Sequence, residues 1–273
     1  MAKTVLITGA SSGIGRATAR TFLHDDWTVY ATARDPADIA DLADRGAETA
    51  ALDVTDGTQI RAVVDRMDEE QGRIDCLVNN AGYGQFGPVE DVPTDLLHRQ
   101  MDVNLYGPHR LIRAVLPHMR ERGEGRIVNV SSVAGRFATP GMGVYSASKF
   151  ALEGLTDALR NEVESHGIEA VLVEPGPVET DFADRADDEL AVLERSGAYE
   201  KLYKLYDDGA TFGGSSPVAV HPMDVADVVL EAAVVPDPEA RYPVGAFADL
   251  SLKARYLPDR VRDTVFALFE RLL

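Results

Sequence analysis

Cysteine is almost missing from this chain. Cys76 stands alone, so an intrachain disulfide is excluded. It lies in the apolar run RIDCLVNNAG, where a buried small residue is expected rather than a reactive thiol. The six histidines are scattered, no Cys/His cluster has metal-ligand spacing, and no metal is expected. Lysine is scarce too, with five against 22 arginines. Acids outnumber bases 45 to 27, and the net charge of −18 argues against nucleic acid and anionic membrane surfaces as partners. The Asp-rich, Lys-poor balance fits a saline cytoplasm and a GC-rich genome equally well. Long hydrophobic runs are also absent. A membrane span takes about 20 apolar residues, whereas VVLEAAVV (228–235) is short and carries a glutamate. The N-terminal MAKTVLITGA has neither an apolar leader region nor a small-residue cleavage site. The expectation is a soluble, cytoplasmic protein with no membrane insertion.

What is present is an alternation of short apolar runs with helix-like stretches. TVLIT (4–8), TVYATA (28–33), TAALDV (49–54), IDCLVNNAG (74–82), GRIVNVSS (125–132) and IEAVLVEPG (168–176) read as strands. Helices are expected at 15–25, at 36–44 with Pro36 in the first turn, and at 57–72 behind an Asp56 cap. A long helix around 95–122 is interrupted by GPH at 107–109, and another, holding Tyr145 and Lys149, runs to about 166. Nearly continuous apolar strands mark a parallel sheet covered on both faces, and their alternation with helices gives a doubly wound α/β fold. The segment 181–222 breaks the rhythm: it is acidic, then tyrosine-bearing (YEKLYKLYDD), then glycine- and serine-rich. A long insertion after a strand end is expected to be a substrate lid. Helix 224–234 and strand 241–245 resume the fold, and the tail reads as one or two helices. Without repeat, linker or low-complexity segment, residues 1–273 are expected to form one domain.

Two patterns carry chemistry. TGASSGIG (8–15) lies between the first strand and the first helix. Its glycines Gly9, Gly13 and Gly15 permit a tight turn close to a ligand, and the helix aims free N–H groups and its positive dipole end at that ligand. In VYSASKFALEG (144–154), Tyr145 and Lys149 are four residues apart and share one helix face. A phenol with a pKa of about 10 is a poor base, and a neighbouring ammonium would lower that value.

The glycine spacing G-x-x-x-G-x-G, followed by NNAG (79–82), Asn104, NVSS (129–132), YSASK (145–149) and PGPVET (175–180), resembles the compact branch of the short-chain dehydrogenase/reductase family. The likeness is firm over residues 3–180 and looser over 217–273. It implies a single-domain Rossmann-type sheet of about seven strands with helices on both faces. It also implies a bound NAD or NADP held by Gly9, Ser11, Ser12, Gly13, Ile14 and Gly15. Asp53 and Val54 would line the adenine, Asn80 would pack against the adenosine ribose, and Ala81 and Gly82 would also contact the cofactor. Pro175, Gly176, Val178 and Thr180 would also contact the cofactor, Thr180 holding the nicotinamide carboxamide. NAD binders usually place an acid at the end of the second strand. Here Ala33 stands in that place and Arg34 follows, a fork of donors suited to a 2′-phosphate. NADP(H) is therefore expected over NAD(H), with Ser11 and Ser12 as further donors and Asp35 as the residue that would relax the preference if it turned inward.

The same resemblance makes Tyr145 the acid/base and has Lys149 both lower the phenol pKa and hold the nicotinamide ribose. Ser132 becomes the second donor to the substrate oxygen. Ser131 is its nearest rival, and strand alternation lets only one of the two face the site. Asn104 would stabilise a helix break and a water through which Lys149 exchanges protons. The implied reaction interconverts a carbonyl and its alcohol. Residues 133–143 supply small and apolar side chains for the substrate. Tyr199, Tyr203, Leu205, Tyr206 and Phe212 form either an apolar lid or the packing face of a helix. Likeness to steroid- and retinol-dehydrogenase-like members points to a hydrophobic ketone or aldehyde. His221 is expected to be a turn residue. The long helices near 95–122 and 146–166 are where the family joins subunits, so a homodimer or homotetramer is expected. A non-catalytic NADP-binding sensor and an NADP-dependent epimerase or dehydratase are the alternatives.

Overall fold

The computed structural model describes residues 2–207, 218–254, 256–261 and 263–264. Seven strands form one sheet: β1 (Thr4–Ile7), β2 (Thr28–Ala33), β3 (Glu48–Ala51), β4 (Cys76–Asn79), β5 (Gly125–Val130), β6 (Ile168–Pro175) and β7 (Arg241–Val244). Their order is β3-β2-β1-β4-β5-β6-β7, and all neighbours are parallel. The chain winds outward from β1 to β3, then returns to β4 on the other side of β1. That reversal opens a crevice at the carboxyl ends of β1 and β4.

Alternation along the strands feeds two cores. Val5 and Ile7 enter a cluster with Phe22, Val29, Val128, Val225 and Val229 under α1 (Gly13–His24) and α9 (Pro222–Val234). Leu6 points the other way, to Tyr30, Ile60, Leu77, Leu111 and Leu159. That second face is covered by α3 (Gly57–Gln71), α5 (Gly107–Arg122) and α6 (Gly143–Val163). Cys76 is buried and free, and burial pushes its thiol up to about 12. Asp56 caps α3, accepting from the Thr58 and Gln59 N–H groups at 2.7 and 3.2 Å. His221 caps α9. Among the described residues, no helix is long and apolar enough to cross a membrane.

Three boundaries differ from the sequence reading. Residues 36–44 do not form one α-helix: a 3-10 turn (Pro36–Ile39), capped by Asp35, leads into the single turn α2 (Ala40–Ala43). The long helix breaks earlier than GPH. α4 (Thr94–Met101) runs into a π-helical turn, Asp102–Tyr106, before α5 begins. Pro108 sits in the first turn of α5, where its missing N–H is harmless, and a Cβ on Gly107 would stand 2.7 Å from Val54. α6 starts near 143 and ends in a 3-10 turn at Glu164–His166.

The insertion after β6 contains α7 (Phe182–Ala191) and α8 (Glu200–Asp207). Its two ends meet at a parallel bridge, Val178 to Val220, with Glu179 N donating to Val220 O and Val220 N to Pro177 O, both at 3.0 Å. α10 (Ala246–Ala254) follows β7.

Candidate active site

The loop from β1 to α1 is shaped by glycine. Gly9 and Gly13 have φ of 71° and 52°, a region other residues enter at a cost. A Cβ on Gly15 would lie 2.2 Å from the Gly9 carbonyl and 2.4 Å from Asn80 Nδ2. Asn80 secures the turn by donating to the carbonyls of Thr8 (2.9 Å) and Gly9 (3.1 Å). Ser12, the N-cap of α1, makes no side-chain capping bond, so the first-turn N–H groups stay available to a ligand. The turn borders a cleft of about 780 Å³ that is lined by every cofactor residue expected from the sequence, by Ser132, Tyr145 and Lys149, but not by Asn104.

At the far end of the cleft from β4, Ala33 is buried and Arg34 exposed on the cleft wall. Among the described residues Arg34 makes no ion pair, while the Asp35 carboxylate is committed to the Ala37 N–H at 2.9 Å. Asp53 accepts from the Thr55 N–H and hydroxyl at 2.8 and 2.7 Å. Burial raises the Asp53 pKa, but those bonds and the charges of Arg34 and Arg110 outweigh it and hold the carboxyl below its usual value.

Tyr145 and Lys149 lie on the first two turns of α6, and both are buried. Lys149 Nζ donates to the Val130 carbonyl at 2.9 Å and sits 5.9 Å from the Tyr145 ring centroid. The electrostatics correct one expectation. Burial pushes the Tyr145 phenol up to about 12, and the only opposing influence is a hydrogen bond with Ser132. Burial also drives Lys149 down to about 8. Desolvation thus sets the direction for both groups, upward for the phenol and downward for the ammonium. Ser132 begins the 3-10 turn Val133–Gly135, where its Oγ accepts from the Ala134 N–H at 3.1 Å. The Ser131 hydroxyl is turned the opposite way, toward Glu153.

Asn104 occupies the π-helical turn and is 1% exposed. Its amide donates to the Tyr83 carbonyl (3.0 Å) and to Ser148 Oγ (3.2 Å), and its carbonyl accepts from the Tyr83 N–H (3.2 Å). Ser148 Oγ in turn donates to the Tyr145 carbonyl at 2.7 Å. Asn104 is thus one step behind the cleft, tied to the backbone of Tyr145.

A family profile for short chain dehydrogenase matches residues 3–191. Human 17-beta-hydroxysteroid dehydrogenase type 1 is 38% identical over 259 residues, 89% of this chain and 77% of that enzyme. The chain belongs to the short-chain dehydrogenase family. It is accordingly an NAD(P)-dependent oxidoreductase. A short-chain dehydrogenase from Streptomyces avermitilis is 34% identical with a TM-score of 0.83, covering 100% of this chain and 97% of that one. A metagenomic short-chain oxidoreductase in complex with NADP is 30% identical with a TM-score of 0.69, covering 89% and 96%. A family member from Burkholderia phymatum in complex with NAD is 28% identical with a TM-score of 0.75, covering 89% and 88%.

In this short-chain dehydrogenase the far side of Tyr145 is aromatic and apolar. Phe86 and Phe182 lie 5.9 and 5.6 Å from the Tyr145 ring, centroid to centroid. Phe137 and Met142 join them on the cleft wall. Phe86 and Phe182 escaped the sequence reading because each is an isolated aromatic in a loop or at a helix start; the glycine at Gly84, where a Cβ would meet Phe182 at 2.9 Å, was the available sign. Arg185 also escaped: its guanidinium reaches the phosphate turn, 3.2 Å from Ser12 Oγ.

The tyrosines of α8 do not line the cleft. With Tyr199 just before the helix, they pack it on the body. Tyr203 donates to Asp91 at 2.8 Å, Tyr199 to Glu90 at 2.6 Å and Tyr206 to the Pro140 carbonyl at 3.0 Å. Phe212 and the Leu205 side chain lie outside the described residues.

Proposed function

We propose that this enzyme interconverts a hydrophobic ketone or aldehyde and its alcohol with NADP(H), using Tyr145 as acid and base. The observation that carries the reading is the position of one hydroxyl. Tyr145, bonded to Ser132, stands where the glycine-turned half of the cleft meets the aromatic half.

The glycine cradle, which any Cβ on Gly15 would fill, and the open N–H groups of α1 suit a diphosphate. Arg34 suits an additional 2′-phosphate, and Asp35 does not oppose it. Asp53, Val54 and Asn80 would flank the adenosine, and Thr180, Pro175, Gly176 and Val178 the nicotinamide. When bound, that ring supplies or accepts a hydride at the substrate carbon. The protein handles the proton. In reduction, Ser132 Oγ donates to the substrate oxygen, and Tyr145, protonated at neutral pH, delivers its hydroxyl hydrogen as charge builds there. Lys149, as an ammonium, stabilises the phenolate left behind. In oxidation the same groups run in reverse. Asn104 holds the loop at Tyr83 against α6 and is a positioning residue.

One domain bears all of this, with 181–222 as its substrate lid. Exposed aromatics Tyr106 and Phe150, before α5 and on α6, support a homodimer or homotetramer joined through those helices. Light scattering showing only a 29.5 kDa species would sink that association. For the chemistry, Tyr145→Phe should cut turnover about a thousandfold while NADPH still binds, as read by its fluorescence. Near-normal turnover on a ketone and aldehyde panel overturns the assignment.

A further inference from the structure

Behind the Ser132 loop lies a buried charge cluster that the redox reading leaves unused. Glu153, one turn of α6 beyond Lys149, is 4% exposed, and Glu174, just before Pro175, is 0% exposed. Arg241 on β7 reaches both, its Nε 3.1 Å from Glu153 and 3.3 Å from Glu174. Its Nη2 is 2.6 Å from Asp157, which also pairs with Arg160 at 3.0 Å. Arg136, at the end of the Ser132 loop, pairs with Glu174 at 2.9 Å. Gly135 allows the layers to close. A Cβ there would stand 2.9 Å from Ser131 Oγ, 3.0 Å from Glu153 Cγ and 3.2 Å from the Lys149 carbonyl. Among the described residues, Glu153 Oε1 and Glu174 Oε2 have no hydrogen-bond partner.

Stability alone does not account for such a cluster, because apolar groups of equal volume stabilise as well or better. Its placement does. It touches the three segments that build the site: α6 with Tyr145 and Lys149, the loop with Ser132, and the turn at Pro175–Gly176. Lys149, meanwhile, is buried against one neutral partner, the Val130 carbonyl, and makes no ion pair among the described residues.

We propose that Glu153 is a positioning residue for the reaction, the buried counter-charge that keeps Lys149 an ammonium, with Arg241, Arg136 and Glu174 setting how much negative charge it presents. This rests on the proposed role of Lys149. The groups against Glu153 are Ser131 of the loop, Glu174 of β6 and Arg241 of β7, with Arg136 beyond Glu174, Asp157 and Arg160 behind Arg241, and Lys149 four residues earlier on the same face of α6. Burial chiefly, and then Glu174, raises the Glu153 carboxyl to about 7, against Ser131 and Arg241. Burial lowers Lys149 to about 8, and Glu153 is the charge that opposes it. The ionised forms of the two groups support each other.

The chain has only five lysines, so carbon-13 at lysine Cε gives five resolvable titrations in the full-length protein. Lys149→Met assigns the relevant one. In Glu153→Gln the Lys149 midpoint should fall by about one pH unit, roughly tenfold in proton affinity. In Glu153→Asp it should fall less, and the other four lysines should not move. An unchanged midpoint in Glu153→Gln overturns the proposal. Should that variant not fold, the wild-type protein answers: the Lys149 signal must show a second, lower inflection as Glu153 takes its proton, and a single inflection is fatal. The measurement needs no turnover, so it fails or succeeds independently of Tyr145→Phe.

Discussion

The two halves of the cleft reach the same Tyr145 side chain by different means. On the nucleotide side the surface is backbone: two glycines at positive φ, a third with no room for a methyl, and an open helix start. On the substrate side it is side chains, Phe86, Phe137, Met142 and Phe182, under helices fastened from behind by tyrosine hydroxyls. Backbone geometry cannot adapt to a new ligand without refolding. A wall of side chains changes shape with each substitution. A dehydrogenase that keeps its cofactor while relatives diverge in substrate needs that division.

The sharpest way to break the contrast is Gly15→Ala. Its methyl would meet the Gly9 carbonyl, and overpacking of this kind costs about 3 kcal/mol. NADPH affinity should fall about a hundredfold, read by fluorescence titration, and a near-normal affinity would show the cradle to be adaptable after all. Arg34→Gln sharpens the nucleotide side alone. The loss of a charge-assisted bond should lower kcat/KM with NADPH about tenfold and leave the value with NADH unchanged; a higher kcat/KM with NADH in the wild type would remove the NADP preference. On the substrate side, Tyr203→Phe should raise substrate KM about threefold and speed hydrogen exchange in α8, with cofactor affinity intact.

The smallest effect is one of pH. Burial acts to raise the Asp91 pKa, yet hydrogen bonds from Ser196 and Tyr203 prevail and hold it below the ordinary carboxylate value. A carboxyl lowered on folding stabilises fully above its unfolded value, about 4, and loses that contribution as pH falls through its folded value. Exchange in α8 should therefore quicken below about pH 4 before the sheet yields, and a helix and sheet that loosen together would refute the separate anchoring.

The same division explains what was legible. The glycine turn, the Tyr145–Lys149 step and the Ala33–Arg34 pair could be read because backbone shape and helix spacing restrict which letters stand where. Asp56 announced a helix start for the same reason, whereas His221, read as a turn residue, proved to cap one. The break was legible at Asn104 only through the family resemblance; from the residues alone Gly107 and Pro108 looked like the interruption, but the glycine makes room for Val54 and the proline begins α5. Phe86 and Phe182 meet only in three dimensions. Spacing shows the cation near the Tyr145 phenol and conceals the burial that raises the phenol pKa. Glu153 read as one more acid in an acidic chain until β6 and β7 brought Glu174 and Arg241 against it.

The bridge from Val178 to Val220 has a bearing on how this fold acquires new specificities. Because the insertion leaves and rejoins the body at paired main-chain positions, its length is decoupled from the register of the sheet. A segment of different size could be spliced in between those two valines as a cassette. The chimera would inherit a cofactor half, a proton donor and a new substrate cover in one step.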